Sequence, residues 1–211
     1  MTKTKKTVTG LVGLVLTGAV AATAMLPASG NQDAREGRPE VSGKLLPLNT
    51  SGAFGSARAE FTAPRKARVH VHARRLAPGL PHAQHIHFGE QARNECPVAA
   101  DAGADHRLTT TDGAPAYGPV VTSLTTRGDT SPDSVLAVDR FPAERRLAYE
   151  RRITFDSGTV ARAVRNGKGV VVIHGVDYNG NGEYDFEAGA SELDPDLPAE
   201  ATDPAVCGVL R

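Results

Sequence analysis

A chain of 211 residues with 40% hydrophobic content has room for one globular domain plus flanking segments, and its 22 glycines and 14 prolines point to a fold rich in turns. Twenty-four basic residues balance twenty-four acidic ones, so charge gives no reason to expect nucleic acid or an anionic membrane surface as a partner. Lys3, Lys5 and Lys6 precede an uncharged run from Thr7 to Asn31 with an apolar centre at Leu11–Leu26, and small residues follow at Ala22-Thr23-Ala24 and Ala28-Ser29-Gly30. This is the layout of a secretory signal peptide over residues 1–29. The run is also long enough to span a bilayer uncleaved, but its glycines, threonines and alanines make it only moderately apolar, which favours cleavage. The expectation is a secreted chain with no membrane attachment after cleavage, a polar linker over residues 30–41 and one domain over residues 42–211.

From about Ser42 the pattern turns to strands. Ala57, Ala59, Phe61 and Ala63 alternate with Arg58, Glu60 and Thr62; beyond the Pro64-Arg65-Lys66 turn, Val69, Val71 and Ala73 alternate with Arg68, His70, His72 and Arg74. A period of two predicts half-buried antiparallel strands. His70 and His72 share a face with Arg68 and Arg74, and cations disfavour a neighbouring cation site, so both are read as solvated surface.

Leu76-Ala77-Pro78-Gly79-Leu80 turns the chain into Gly79–Glu90, which carries His82, His85 and His87. On a strand His85 and His87 project to one face while Ile86 turns to the other. Two neighbouring neutral imidazoles suit copper or zinc. Gln91 to Gly118 reads as a long polar loop containing Cys96 and His106. Strands are predicted at Val120–Thr125, Val135–Arg140 and Leu147–Phe155, then a short helix from Ser157 to Asn166, with Ser157 as its N-cap and Gly167 as its terminator. Gly169–Gly175 is a continuous apolar run ending in His174, the pattern of a strand buried on both faces. Asp177, Asn179, Asn181 and Asp185 fall at positions 1, 3, 5 and 9 of a calcium-type loop with Gly182 at position 6, although Ala188 stands where a bidentate glutamate is expected. The competing reading of that stretch is an Asn-Gly surface turn.

Gly79–Glu90 resembles the copper-ligand strand of the Cu/Zn superoxide dismutase family. His85 and His87 match its first two copper ligands, His82 matches a histidine that is not a ligand, and Phe88-Gly89-Glu90 matches its Phe-Gly-Asp. Pro81 is an insertion, and one residue is missing between His87 and Phe88. Val170–His174 resembles the late strand bearing the fourth copper ligand, which implies that role for His174. Ala102-Gly103-Ala104-Asp105-His106 resembles, with one extra residue, the segment of the copper–zinc bridging ligand, which adds His106 to the implied set. No histidine lies between His106 and His174, so the family's zinc ligands do not carry over. The closing Ala205–Arg211 segment also resembles the family's, and the resemblance implies a Cys96–Cys207 disulfide; the two cysteines of an exported chain are expected to pair in any case. Pro204 stands where the family has its catalytic arginine, with Asp203 beside it. The histidine strand and Gly118–Leu124 are similar, in addition, to segments of chordin-type (CHRD) domains.

Strand periodicity and these resemblances together imply an all-β Greek-key sandwich or flattened barrel, an architecture for which Cu/Zn superoxide dismutase is a standard example. The functional expectation is an exported copper-only protein with weak or no dismutase activity, whose partner is a metal or small-molecule ligand. The alternative is a non-enzymatic CHRD-like extracellular binding module stabilised by calcium.

Overall fold

The computed structural model describes residues 39–211; the leader expected over residues 1–29 and most of the expected linker lie outside the described residues. No helix among the described residues is long and apolar enough to cross a membrane. Strands β1 (Glu40–Pro47), β2 (Phe54–Ala63), β3 (Lys66–Arg74), β4 (Gln84–His87), β5 (Val120–Ser123), β6 (Arg146–Thr154), β7 (Val170–His174) and β8 (Pro204–Val209) form one sheet in the order β5-β4-β7-β8-β1-β2-β3-β6. Every neighbouring pair is antiparallel.

β1 joins the two halves of this sheet. Glu40 to Leu45 pair with β2, whereas Leu46 and Pro47 pair with Cys207 and Val206 of β8. The sheet therefore curls, and the inward side chains of both halves meet in one core. Val41, Ala57, Ala59, Val69, Val71 and Tyr149 come from one half; Ile86, Val171, Ile173 and Val206 come from the other. The period of two in β2 and β3 accounts for this sorting, since every inward position is apolar while Arg58, Arg68, His70 and His72 face away from the core. His70 there lies beside Glu150 of β6, with Nδ1 and Oε2 3.7 Å apart.

All five residues of β7 are buried. One parity, Val171 and Ile173, meets the core, and the other, Val170 and Val172, meets a second apolar cluster with Tyr117 and Cys207. That second face lies under long connections. Within the first connection, α1 (Thr110–Tyr117) replaces the loop expected there. Thr109 Oγ1 accepts from the Asp112 amide and the Asp112 carboxylate accepts from the Thr109 amide, a reciprocal cap that outweighs Gly113 and Pro115 in the helix. The strand predicted at Val135–Arg140 is instead a pair of 3-10 turns, Pro132–Ser134 and Val138–Arg140. The Asp129 carboxylate accepts from Ser131 N, Ser131 Oγ and Ser134 Oγ, and so gathers the chain into a turn before an extended strand can form. α2 (Gly158–Ala163) starts at Ser157, whose Oγ accepts from Val160 N, and α3 (Ala199–Thr202) precedes β8.

Cys96 and Cys207 form a disulfide across 111 residues, and it fastens the first connection to the outer side of β8. In the chain-entropy description, closing a loop of that length contributes about 5 kcal/mol. Replacing both cysteines by serine is expected to lower unfolding free energy in urea by about that amount. A loss below about 1 kcal/mol would show that the clamp does not constrain the unfolded chain as this description requires.

Candidate metal centre

β4 lies between β5 and β7, and its register sets the site. Ile86 points into the core, so His85 and His87 take the opposite face, paired with Val172 and Val170. His174 lies two residues beyond Val172 and reaches that same face. The ring centroids of His85 and His174 are 5.3 Å apart, those of His85 and His87 5.8 Å, and those of His87 and His174 6.2 Å. All three side chains are buried, and one ring nitrogen from each lies within 4.8 Å of the other two.

The remaining nitrogens define the protonation of each ring. His85 Nε2 lies 3.1 Å from the Val135 carbonyl, His87 Nδ1 2.8 Å from that of Gly118, and His174 Nδ1 2.6 Å from that of Thr202. A nitrogen facing a carbonyl oxygen must be the one that carries hydrogen. His85 Nδ1, His87 Nε2 and His174 Nε2 are then lone pairs, and all three are buried without a hydrogen-bond partner. A buried acceptor left unsatisfied costs about 1–3 kcal/mol. Three of them aimed at one another fit a single ion that accepts imidazole nitrogen, and N–H donation from the far side of each ring is how such ligands are oriented. Burial, then repulsion from His174, lowers the pKa of His87 to about 3; burial lowers that of His174 to about 4. Burial also takes His85 well below its ordinary range, with repulsion from His174 and His87 adding to it. The rings are neutral, as metal ligation requires.

Each anchoring carbonyl belongs to a different covering segment. Gly118 ends α1 with φ +83°, and a side chain there would bring Cβ to 2.7 Å from the Gly89 nitrogen; only glycine fits where this carbonyl must sit. The Thr202 carbonyl also accepts from Thr110 Oγ1 at 2.6 Å, which ties α1 to the end of α3. His82, buried but outside the trio, has Nε2 2.9 Å from the carbonyl of Ala77 and Nδ1 3.0 Å from that of His174 and 3.2 Å from the Tyr184 hydroxyl; burial lowers its pKa, and the neutral ring donates through one of the two nitrogens. Above the three lone pairs is a cavity of about 40 Å³ walled by Val120, Val135, Leu136, Val138, Leu193 and Leu197, with Thr110 beside them and no charged side chain.

The other sequence-derived candidates lie elsewhere. His106 is exposed at φ +61° in the loop before Arg107 and is not part of the three-histidine group. Arg107, beside His106 in the chain, does not line the cavity and lies 3.8 Å from Asp105 and 3.5 Å from Asp203. Asp203 is fully buried; burial raises its carboxyl to about 7, although Tyr178 donates to it at 2.9 Å. Asp177, Asn179, Asn181 and Asp185 gather in one loop. Asp177 accepts from the amides of Gly180, Asn181 and Gly182, and both asparagine side chains donate to Asp185. Buried Glu200 holds that loop by accepting from the amides of Tyr178 and Asp185. Sequence reasoning missed the carbonyl anchors and the aliphatic wall; backbone atoms leave no residue signature, and Leu193 and Leu197 sit in a stretch that reads as a polar tail.

The buried histidines make metal-free stability depend on pH. Above the ordinary value of 6.5 both states are neutral; below it the unfolded chain takes up protons that folded His87 and His174 refuse until about pH 3–4. Stability therefore falls as pH falls through that window. Asp203, protonated when folded at pH values where the unfolded carboxylate is ionised, opposes this, so the clean measure is a difference between variants. Between pH 6 and 4 the metal-free His87→Asn protein should lose stability less steeply than the natural chain, by about 1.4 kcal/mol per pH unit. Parallel lines in urea titrations would contradict a neutral His87. In comparisons with known proteins, no family model and no curated protein matches this chain, and the centre stands on its own geometry.

Proposed function

We propose that this chain is an exported β-domain that holds one copper ion on His85, His87 and His174, as a copper-only relative of the superoxide dismutase type with slow dismutation. The observation that carries this reading is the convergence of three buried lone pairs whose rings are each fixed from behind by a carbonyl. In a purely structural module of the chordin type the same three nitrogens would remain unsatisfied, at a combined cost of several kcal/mol. Imidazole serves copper and zinc alike, but affinity in such sites rises from zinc to copper. Burial adds a second argument. The site offers no carboxylate or thiolate to offset the ion's charge, and the cost of taking an ion out of water grows with the square of that charge, which favours monovalent copper. When bound, copper supplies one-electron redox chemistry. The three histidines would hold the ion, and the aliphatic wall would restrict water at the face they leave uncovered. The disulfide suits an oxidising compartment, in keeping with the leader-like residues at the start of the sequence.

Metal analysis of the copper-treated protein should give one copper per chain. His85→Ala, His87→Ala and His174→Ala should each lower affinity at least tenfold, with His70→Ala, His72→Ala and His106→Ala unchanged. Equal losses from the His106 or His70 variants would reject this ligand set. Stopped-flow assays of the loaded protein should show slow, weakly salt-dependent dismutation, because the cavity wall carries no cation to draw an anion inward. Turnover near the diffusion limit that falls steeply with salt would refute the assignment.

A further inference from the structure

We propose that the open face of this centre admits a small uncharged ligand of two or three heavy atoms, of the class of neutral diatomic gases, and selects against anions; this rests on the metal reading above. Size comes first. A single water needs roughly 10–15 Å³ of such space, so a cavity of about 40 Å³ holds about three heavy atoms within its walls.

Polarity decides which small molecules are accepted. The wall is largely aliphatic, and its two threonine hydroxyls are both committed, Thr110 Oγ1 to the Thr202 carbonyl at 2.6 Å and Thr202 Oγ1 to Ser191 Oγ at 2.8 Å. All three histidine N–H groups are likewise committed to carbonyls. An anion entering would shed its water and find no protein donor to replace it, with the ion as its one partner, whereas an uncharged diatomic loses little.

Charge acts in the same direction. Arg107 is engaged with Asp105 and Asp203, Arg127 with Asp139, and Arg140 with Ser134. The wall residues Leu193 and Leu197 are instead flanked in the chain by Glu192, Asp194 and Asp196. At the rim, Leu136, Val138 and Leu193 are 37%, 42% and 46% exposed and present an apolar mouth to solvent.

Carbon monoxide and azide both fit the cavity by size and differ in charge, so together they test the proposal on the full copper-loaded chain. The reduced form should show a saturable C–O stretching band in the infrared, one per copper. Azide titration of the oxidised form, followed by its absorption and EPR spectra, should be at least tenfold weaker for the natural chain than for Leu193→Lys, which puts a cation at an exposed rim position. Leu193→Gln, polar but uncharged, should not reproduce that gain. With copper at one per chain, absence of the carbonyl band, or azide affinity unaffected by Leu193→Lys, overturns the inference and leaves the metal reading standing. Copper near zero per chain overturns both.

Discussion

Three imidazoles are buried on one face of a sheet, and each is tolerated there because its N–H donates to a main-chain carbonyl. The carbonyls of Gly118, Val135 and Thr202 come from three separate connections, so these bonds position the cover as much as they position the rings. The arrangement is reciprocal. Without the cover the histidines would be solvated and mobile, and without the histidines three connections would lose a shared point of attachment. The disulfide fastens the first connection, and the Thr110–Thr202 hydrogen bond joins it to the last.

The site's electrostatic character follows from where the chain puts its charges. Cations are numerous, yet the ones near the covering loops are taken up by neighbouring carboxylates or hydroxyls. Asp203, next to Pro204, faces Tyr178 and Arg107 and is drawn into the fold as a buried strut. What remains over the histidines is aliphatic, and a neutral donor set in an apolar enclosure binds and excludes very differently from a centre flanked by a guanidinium.

Much of the fold was legible because its signals are local. Alternation marked β2, β3 and β6, the apolar run marked β7, and strand parity placed His85 and His87 together. The position of His174 beside them depends on β4 pairing with β7, a long-range contact that spacing cannot reveal; family resemblance supplied it instead. The same resemblance extended to His106, which the structure leaves in an exposed loop. The strand expected at Val135–Arg140 failed because Val135 and Ala137 alternate by chance while Asp129, outside the window, sets the local turn. α1 was hidden by Gly113 and Pro115, and its cap at Thr109 and Asp112 was the signal that went unread.

The alternation of His85, Ile86 and His87 gives one four-residue strand two interiors to serve, the hydrocarbon core on one side and the nitrogen-lined chamber on the other. A slip of one residue in β4 would move two imidazoles into the core and a sec-butyl group into the chamber, so both environments reject the same error. Errors of pairing in such a short strand are usually penalised from a single side. Here the chamber acts as a proofreader for the core, and a chain able to bring its three nitrogens together is, by that fact, one whose sheet has closed in the correct alignment.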